Sequence, residues 1–154
     1  MAALTATAAV TWLTAVVTAE IRRPPDVDCI AVDSSLMDVI VSRPASSPLE
    51  PLKAVAVHDP WTRSKGSVSP FDNYYAIAMQ FRRSDGSTSH GVWGLGGGPL
   101  PTEGQTLAVI AGSAPLVSVD QSARQSTVWP DTEMFFPEDA NAAKVAQQCL
   151  SSAS

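Results

Sequence analysis

The stretch NYYAIAMQFRR–SDG–STSHGVWGL, residues 73–95, decides how this chain folds. Two runs rich in β-branched and aromatic residues flank Asp85-Gly86, and glycine supplies the positive φ that a tight hairpin turn demands. The segment therefore predicts an antiparallel pair, residues 73–83 against 87–95. Side chains alternate along a strand. Tyr75, Ile77, Met79 and Phe81 thus share one face, which is expected to be core, and Tyr74, Ala76, Ala78 and Gln80 take the other.

Other elements gather around this hairpin. Residues 52–58 (LKAVAVH) alternate and read as a strand, and residues 105–111 (QTLAVIA), nearly all apolar, read as a central one. Residues 59–72, with two prolines and a glycine, read as loop. Ahead of them, Asp33 or Ser34 can cap a short helix in which Leu36, Met37 and Ile40 recur at helical spacing, ended at Arg43-Pro44. A hairpin between Ile30-Ala31-Val32 and Val39-Ile40-Val41 is the competing reading. In residues 117–129, Asp120 can cap a short helix holding Ala123, or the segment is a strand pair. Near the C-terminus, Pro137 and two following acids suit a helix start, and Ala142, Val145, Ala146 and Cys149 form one apolar stripe. The expectation is an α+β domain: a mainly antiparallel sheet with short N-terminal and middle helices and a C-terminal helix packed on it.

Composition bounds the class. The 154 residues suit one domain, and 45% apolar with 16% charged residues suit a folded globule. Net charge is −5, and no run of basic residues exceeds the pairs Arg22-Arg23 and Arg82-Arg83. Binding nucleic acid requires a basic face to neutralise phosphates, so nucleic acid is not an expected partner.

Residues 1–19 carry no charged side chain and are built largely from Ala, Thr and Val. Their length and the small residues Val17-Thr18-Ala19 before Glu20 suggest export, with residues 1–20 a signal peptide or single membrane anchor. An Ala/Thr-rich soluble helix is the alternative. Residues 21–28, containing Pro24-Pro25, form a linker; residues 29–150 form the domain and residues 151–154 a tail. Cys29 and Cys149 bracket the domain, and Cys149 lies on the apolar stripe of its helix, where it can meet Cys29. A disulfide in an oxidising compartment fits this placement, and two separate buried thiols are the other possibility. Their spacing matches no zinc or thiol-exchange pattern.

Candidate chemistry is sparse. Residues 90–101 (HGVWGLGGGPLP) hold five of the nine glycines. The dinucleotide fingerprint fails because Pro99 stands where a glycine is required, and the phosphate-binding loop fails for want of a lysine and a following helix. The reading is a strand running into a Gly/Pro connection. The only histidines are His58 and His90. With Asp59 they make a conceivable metal site, although neither H-x-H nor HExxH spacing is present. No serine lies in G-x-S-x-G. Trp93 and Trp129 sit among apolar residues and read as core. Trp61, in a polar loop, is the candidate surface contact.

Taken together, YYAIAMQF, HGVWGLGGG, VSVDQSARQSTVWPD and EDANAAKVAQQC resemble segments of small exported proteins of actinobacteria. In these an N-terminal membrane segment precedes one domain with a "GVW" strand, a "VD..A" segment followed by Trp, and a C-terminal helix bearing Cys. The resemblance covers residues 52–150 and brings no catalytic residues with it. It implies extracytoplasmic placement, a helix over residues 117–126 and a structural role for the cysteine pair. The expected function is a non-catalytic cell-envelope binding or interaction protein, such as an accessory subunit of a membrane complex. It has a protein partner in the envelope, possible membrane attachment through the N-terminal segment, and no cofactor. The alternatives are a metal-assisted hydrolase using His58 and His90, and a carrier with an apolar pocket near Tyr75, Ile77 or Trp93.

Overall fold

The structure, a computed structural model, describes residues 27–59, 73–97, 100, 115–131 and 141–153. In chain order the elements are β1 (Ile30–Ala31), α1 (Ser34–Val41), β2 (Glu50–His58), β3 (Asn73–Arg82), β4 (Thr88–Gly97), β5 (Leu116–Ser118), α2 (Gln121–Ser126) and α3 (Asn141–Ser152). The strands form one antiparallel sheet in the order β1-β2-β3-β4-β5, a meander in which each strand pairs with its neighbour in sequence. The fold is α+β, as the residue pattern predicts.

The β3–β4 hairpin is its centre. The register runs without a break from Arg82↔Thr88 to Asn73↔Gly97. At the turn, Gly86 has φ +83° and its N–H donates to the Arg83 carbonyl at 2.9 Å. The Asp85 carboxylate accepts from the Ser87 N–H at 2.9 Å and from its hydroxyl at 2.6 Å, which locks the loop from within. β4 runs two residues further than expected, through Gly96 and Gly97; the Gly96 N–H reaches the Pro115 carbonyl at 3.1 Å, where β5 begins. Part of the glycine-rich stretch is thus strand, and the predicted strand at residues 105–111 lies outside the described residues.

Both faces of the sheet are covered, whereas only the Tyr75/Ile77/Met79/Phe81 face was expected to be core. On that face Ile77, Met79 and Phe81 are fully buried with Trp93 beneath α1 and α2, and Tyr75 is half-buried. The opposite face carries Val55, Val57, Ala76, Ala78 and Val92, buried under Ala142, Val145, Ala146 and Cys149 of α3. The two faces differ in bulk. Large side chains meet the short helices, and small ones meet the alanine-rich α3, so volume is filled on both sides.

Helices α1 and α2 begin where capping residues stand. Asp33 caps α1 by accepting from the Ser35 N–H at 2.9 Å, and Leu36 and Ile40 are fully buried. The competing hairpin is replaced by a different pairing, in which Ile30 and Ala31 join β2 opposite Ala56 and Val55. Asp120 caps α2 through the Ala123 N–H at 2.8 Å. Residues 117–126 are therefore not all helix, since Val117 and Ser118 belong to β5 and pair with Gly94 and Trp93.

Two polar clusters tie α2 to the sheet and to α1. The Trp93 indole N–H donates to the Thr127 hydroxyl at 3.0 Å, and that hydroxyl donates to the Ala123 carbonyl at 3.0 Å. The Trp129 indole N–H donates to the Ile40 carbonyl at 2.7 Å, with the Arg43 guanidinium over its ring at 4.4 Å. Both tryptophans, Trp93 fully buried and Trp129 half-buried, give their one donor a partner.

Candidate functional site

The residues singled out for chemistry are placed apart. His58 ends β2 opposite Tyr75, whose ring it meets edge-on with centroids 5.3 Å apart. His90 lies on β4 opposite Gln80. Residues 75 and 80 of β3 differ by an odd number, so the two imidazoles project from opposite faces of the sheet. They are also about 17 Å apart along the strand direction. Asp59 is buried at the end of β2, where its N–H donates to the Tyr74 carbonyl at 2.7 Å. The structure does not bring His58, Asp59 and His90 together. Among the described residues no three His, Cys, Asp or Glu side chains gather as a metal site. Trp61 lies outside the described residues.

Cys29 and Cys149 do meet. They form a disulfide with Cα atoms 5.7 Å apart that joins the chain just before β1 to the last turns of α3. Cys149 is buried on the apolar stripe and Cys29 is exposed.

What the sheet and α3 build together is a polar groove. On the α3 side of the sheet, buried Val55, Ala78 and Val92 make one lateral row; Val55 and Ala78 are paired directly, as are Ala78 and Val92. One step along the strands on the same face, the row becomes Lys53, Gln80 and His90, again paired directly across β2, β3 and β4. The register of β2 shifts between Pro51 and Lys53, beyond this row. Neighbouring strands lie about 4.8 Å apart, so ammonium, amide and imidazole stand on backbone positions spanning about 10 Å.

Helix α3 supplies the second wall. Its apolar stripe faces the core, and Lys144, Gln147, Gln148 and Ser151 follow at i, i+3, i+4 and i+7, a single polar stripe beside it. The two polar rows meet in a groove of about 770 Å³, whose inner wall includes Ala78 and Leu150. A second depression of about 490 Å³ shares Lys144 and Gln147 and continues to Asp120, Gln121 and Gln125 at α2.

The groove differs in charge from the chain around it. The protein has a net charge of −5. Among the described residues, the groove wall contains Lys53 and Lys144, which are two of the three lysines, and no carboxylate. The nearest acid on β2, Glu50, is held by Arg82 at 2.8 Å, and Asp120 is committed to capping α2. At the end of α3, the Ser151 and Ser152 hydroxyls donate to the Gln147 and Gln148 carbonyls at 3.0 and 2.7 Å.

The groove was missed from sequence because its sheet row joins residues at positions 53, 80 and 90. The i, i+3, i+4, i+7 spacing of its helix row was the one available signal.

No family model matches the chain, and neither the curated proteins nor the solved structures contain a match to it. Among the described residues, no helix is long and apolar enough to cross a membrane.

Proposed function

We propose that this chain is a non-catalytic binding domain of the cell envelope, working in an oxidising compartment and meeting a protein partner through the groove between α3 and the sheet. The observation that carries the reading is the pair of converging polar rows, Lys53-Gln80-His90 on the sheet and Lys144-Gln147-Gln148 on the helix. Concave sites lined by a few oriented polar groups are where ligands bind, and the groove volume falls within their usual range. The Cys29–Cys149 disulfide supports the compartment, because such bonds persist where thiols are not kept reduced. The uncharged residues 1–19 and the likeness to small exported actinobacterial proteins support the same placement.

Photo-crosslinking tests this reading on the full exported chain. A photoreactive residue at Gln147 or Gln148 is expected to yield a discrete adduct, and one at the exposed Asp38 on α1 none. Equal yields from both faces, or no adduct from the groove, would remove the groove from the proposal. Free thiols at Cys29 and Cys149 in the exported protein would remove the compartment.

A further inference from the structure

The geometry points to an extended acidic peptide segment as the occupant of this groove, an inference that rests on the groove being the binding site. Lys53 and Lys144 approach it from opposite walls, one from β2 and the other from α3. Neither ammonium has an ion pair or hydrogen bond among the described residues, and both side chains are half-buried. A carboxylate placed between them meets positive charge from two sides without first displacing a protein carboxylate. In a cleft of one charge sign within an oppositely charged molecule, that contrast steers and selects the ligand.

The remaining polar groups fit a peptide backbone. Gln80, Gln147 and Gln148 each carry an acceptor oxygen and a two-donor nitrogen. They can therefore pair with the N–H and C=O groups that an extended strand exposes. Arginine forks, which favour bidentate phosphate recognition, are missing from the described lining, where the cations are lysines. A saccharide is usually gripped by stacking on a flat aromatic face, and among the described lining residues only His90 has a ring. Ala78 and Leu150 provide a short apolar floor for the stems of glutamate side chains.

The test uses the full, disulfide-intact chain and a fluorescein-labelled octaglutamate peptide, read by anisotropy. Saturable binding is expected, weakening about tenfold between roughly 50 and 300 mM salt as the charges are screened. Lys53→Gln and Lys144→Gln remove the charge but keep a polar side chain and are each expected to weaken binding at least about threefold. Arg43→Gln, on the α1 side, is expected to leave it unchanged. Circular dichroism confirms that each variant is folded.

Octaglutamate affinity unaffected by either lysine variant would overturn the inference. Equal affinity for octaglutamine would do the same, as would lysine-dependent binding of oligogalacturonate or inorganic phosphate without octaglutamate binding. In each case a groove-specific crosslink from Gln147 leaves the binding reading standing, so the two failures are distinguishable.

Discussion

Reducing the Cys29–Cys149 bond should remove a large share of the stability of this domain. The bond closes a loop with a sequence separation of 120 residues. On the chain-entropy account, a loop of that length restricts the unfolded ensemble by about 5 kcal/mol at 25 °C. Residual compactness of the unfolded chain lowers the effect, so about 3–5 kcal/mol is expected. A domain of this size typically has about 5–15 kcal/mol in total. The native structure loses little directly, because Cys149 remains packed against the α3-side core as a small apolar side chain. The local cost falls on β1, which among the described residues joins the sheet through just two pairs, Ile30↔Ala56 and Ala31↔Val55, with the Val32 N–H on the Ala54 carbonyl beside them.

The assay is equilibrium urea unfolding of the oxidised protein, the reduced protein and the Cys29→Ala/Cys149→Ala double variant. With a slope of about 1.5 kcal/mol per molar urea, the midpoint should fall by about 2–3 M on reduction. The slope itself should rise, since an unfolded chain freed of its cross-link exposes more surface. Reduced protein and double variant should agree. A loss below about 1 kcal/mol with an unchanged slope would refute the reasoning, for it would mean that the unfolded chain is not constrained by the bond.

Three further outcomes follow from buried contacts and caps. Thr127→Val leaves the Trp93 indole N–H without its acceptor in a fully buried site, which should cost about 1–3 kcal/mol, while Thr127→Ser, keeping the hydroxyl, should cost less; equal losses in urea unfolding would count against the hydrogen bond. Gly91→Ala places a methyl 2.9 Å from the Trp93 ring edge and 3.1 Å from the Ala123 backbone nitrogen, so overpacking of about 1–3 kcal/mol should lower the thermal midpoint, and an unchanged midpoint would show that α2 yields freely. The Ser35 hydroxyl and N–H hold the Asp33 carboxyl below the usual aspartate range, and Ser87 does the same for Asp85. Because both are depressed on folding, their stabilisation is present above the ordinary aspartate range and is lost as pH falls through the folded values; Asp33→Asn should flatten that acid limb, and an identical limb would exclude the cap as its source.

The parts of the fold legible in sequence are those written in neighbouring residues. Asp85-Gly86 marks its own turn, Asp33 and Asp120 mark their helix starts, and the 142/145/146/149 spacing marks the buried stripe of α3. The two-sided burial of β3 was less legible. Ala76 and Ala78 alternate with large residues, a pattern equally suited to one buried face and one solvated face. Only the alanines of α3, more than sixty positions away, decide in favour of a second core. Likewise, glycines that resemble a flexible connection in isolation become strand once β5 supplies partners for Gly94 and Gly96.

The candidate site lay beyond that local grammar for a reason that also makes it informative. Lys53, Gln80 and His90 are unremarkable singly, and each sits within a different strand. They become a row only because β2 pairs with β3, and β3 with β4, in one particular register; a one-residue slip would turn a member to the other face. The register is held by the hydrophobic pattern, with Val55, Ala78 and Val92 required beneath α3 and Ile77, Met79 and Trp93 required beneath α1 and α2. The polar row therefore inherits its geometry from the core beside it. Substitutions at Lys53 or Lys144 should change what the groove binds without moving the sheet. A core substitution that shifts the register should abolish binding while every groove residue is still present, so affinity and fold stability should separate in the first set and fall together in the second.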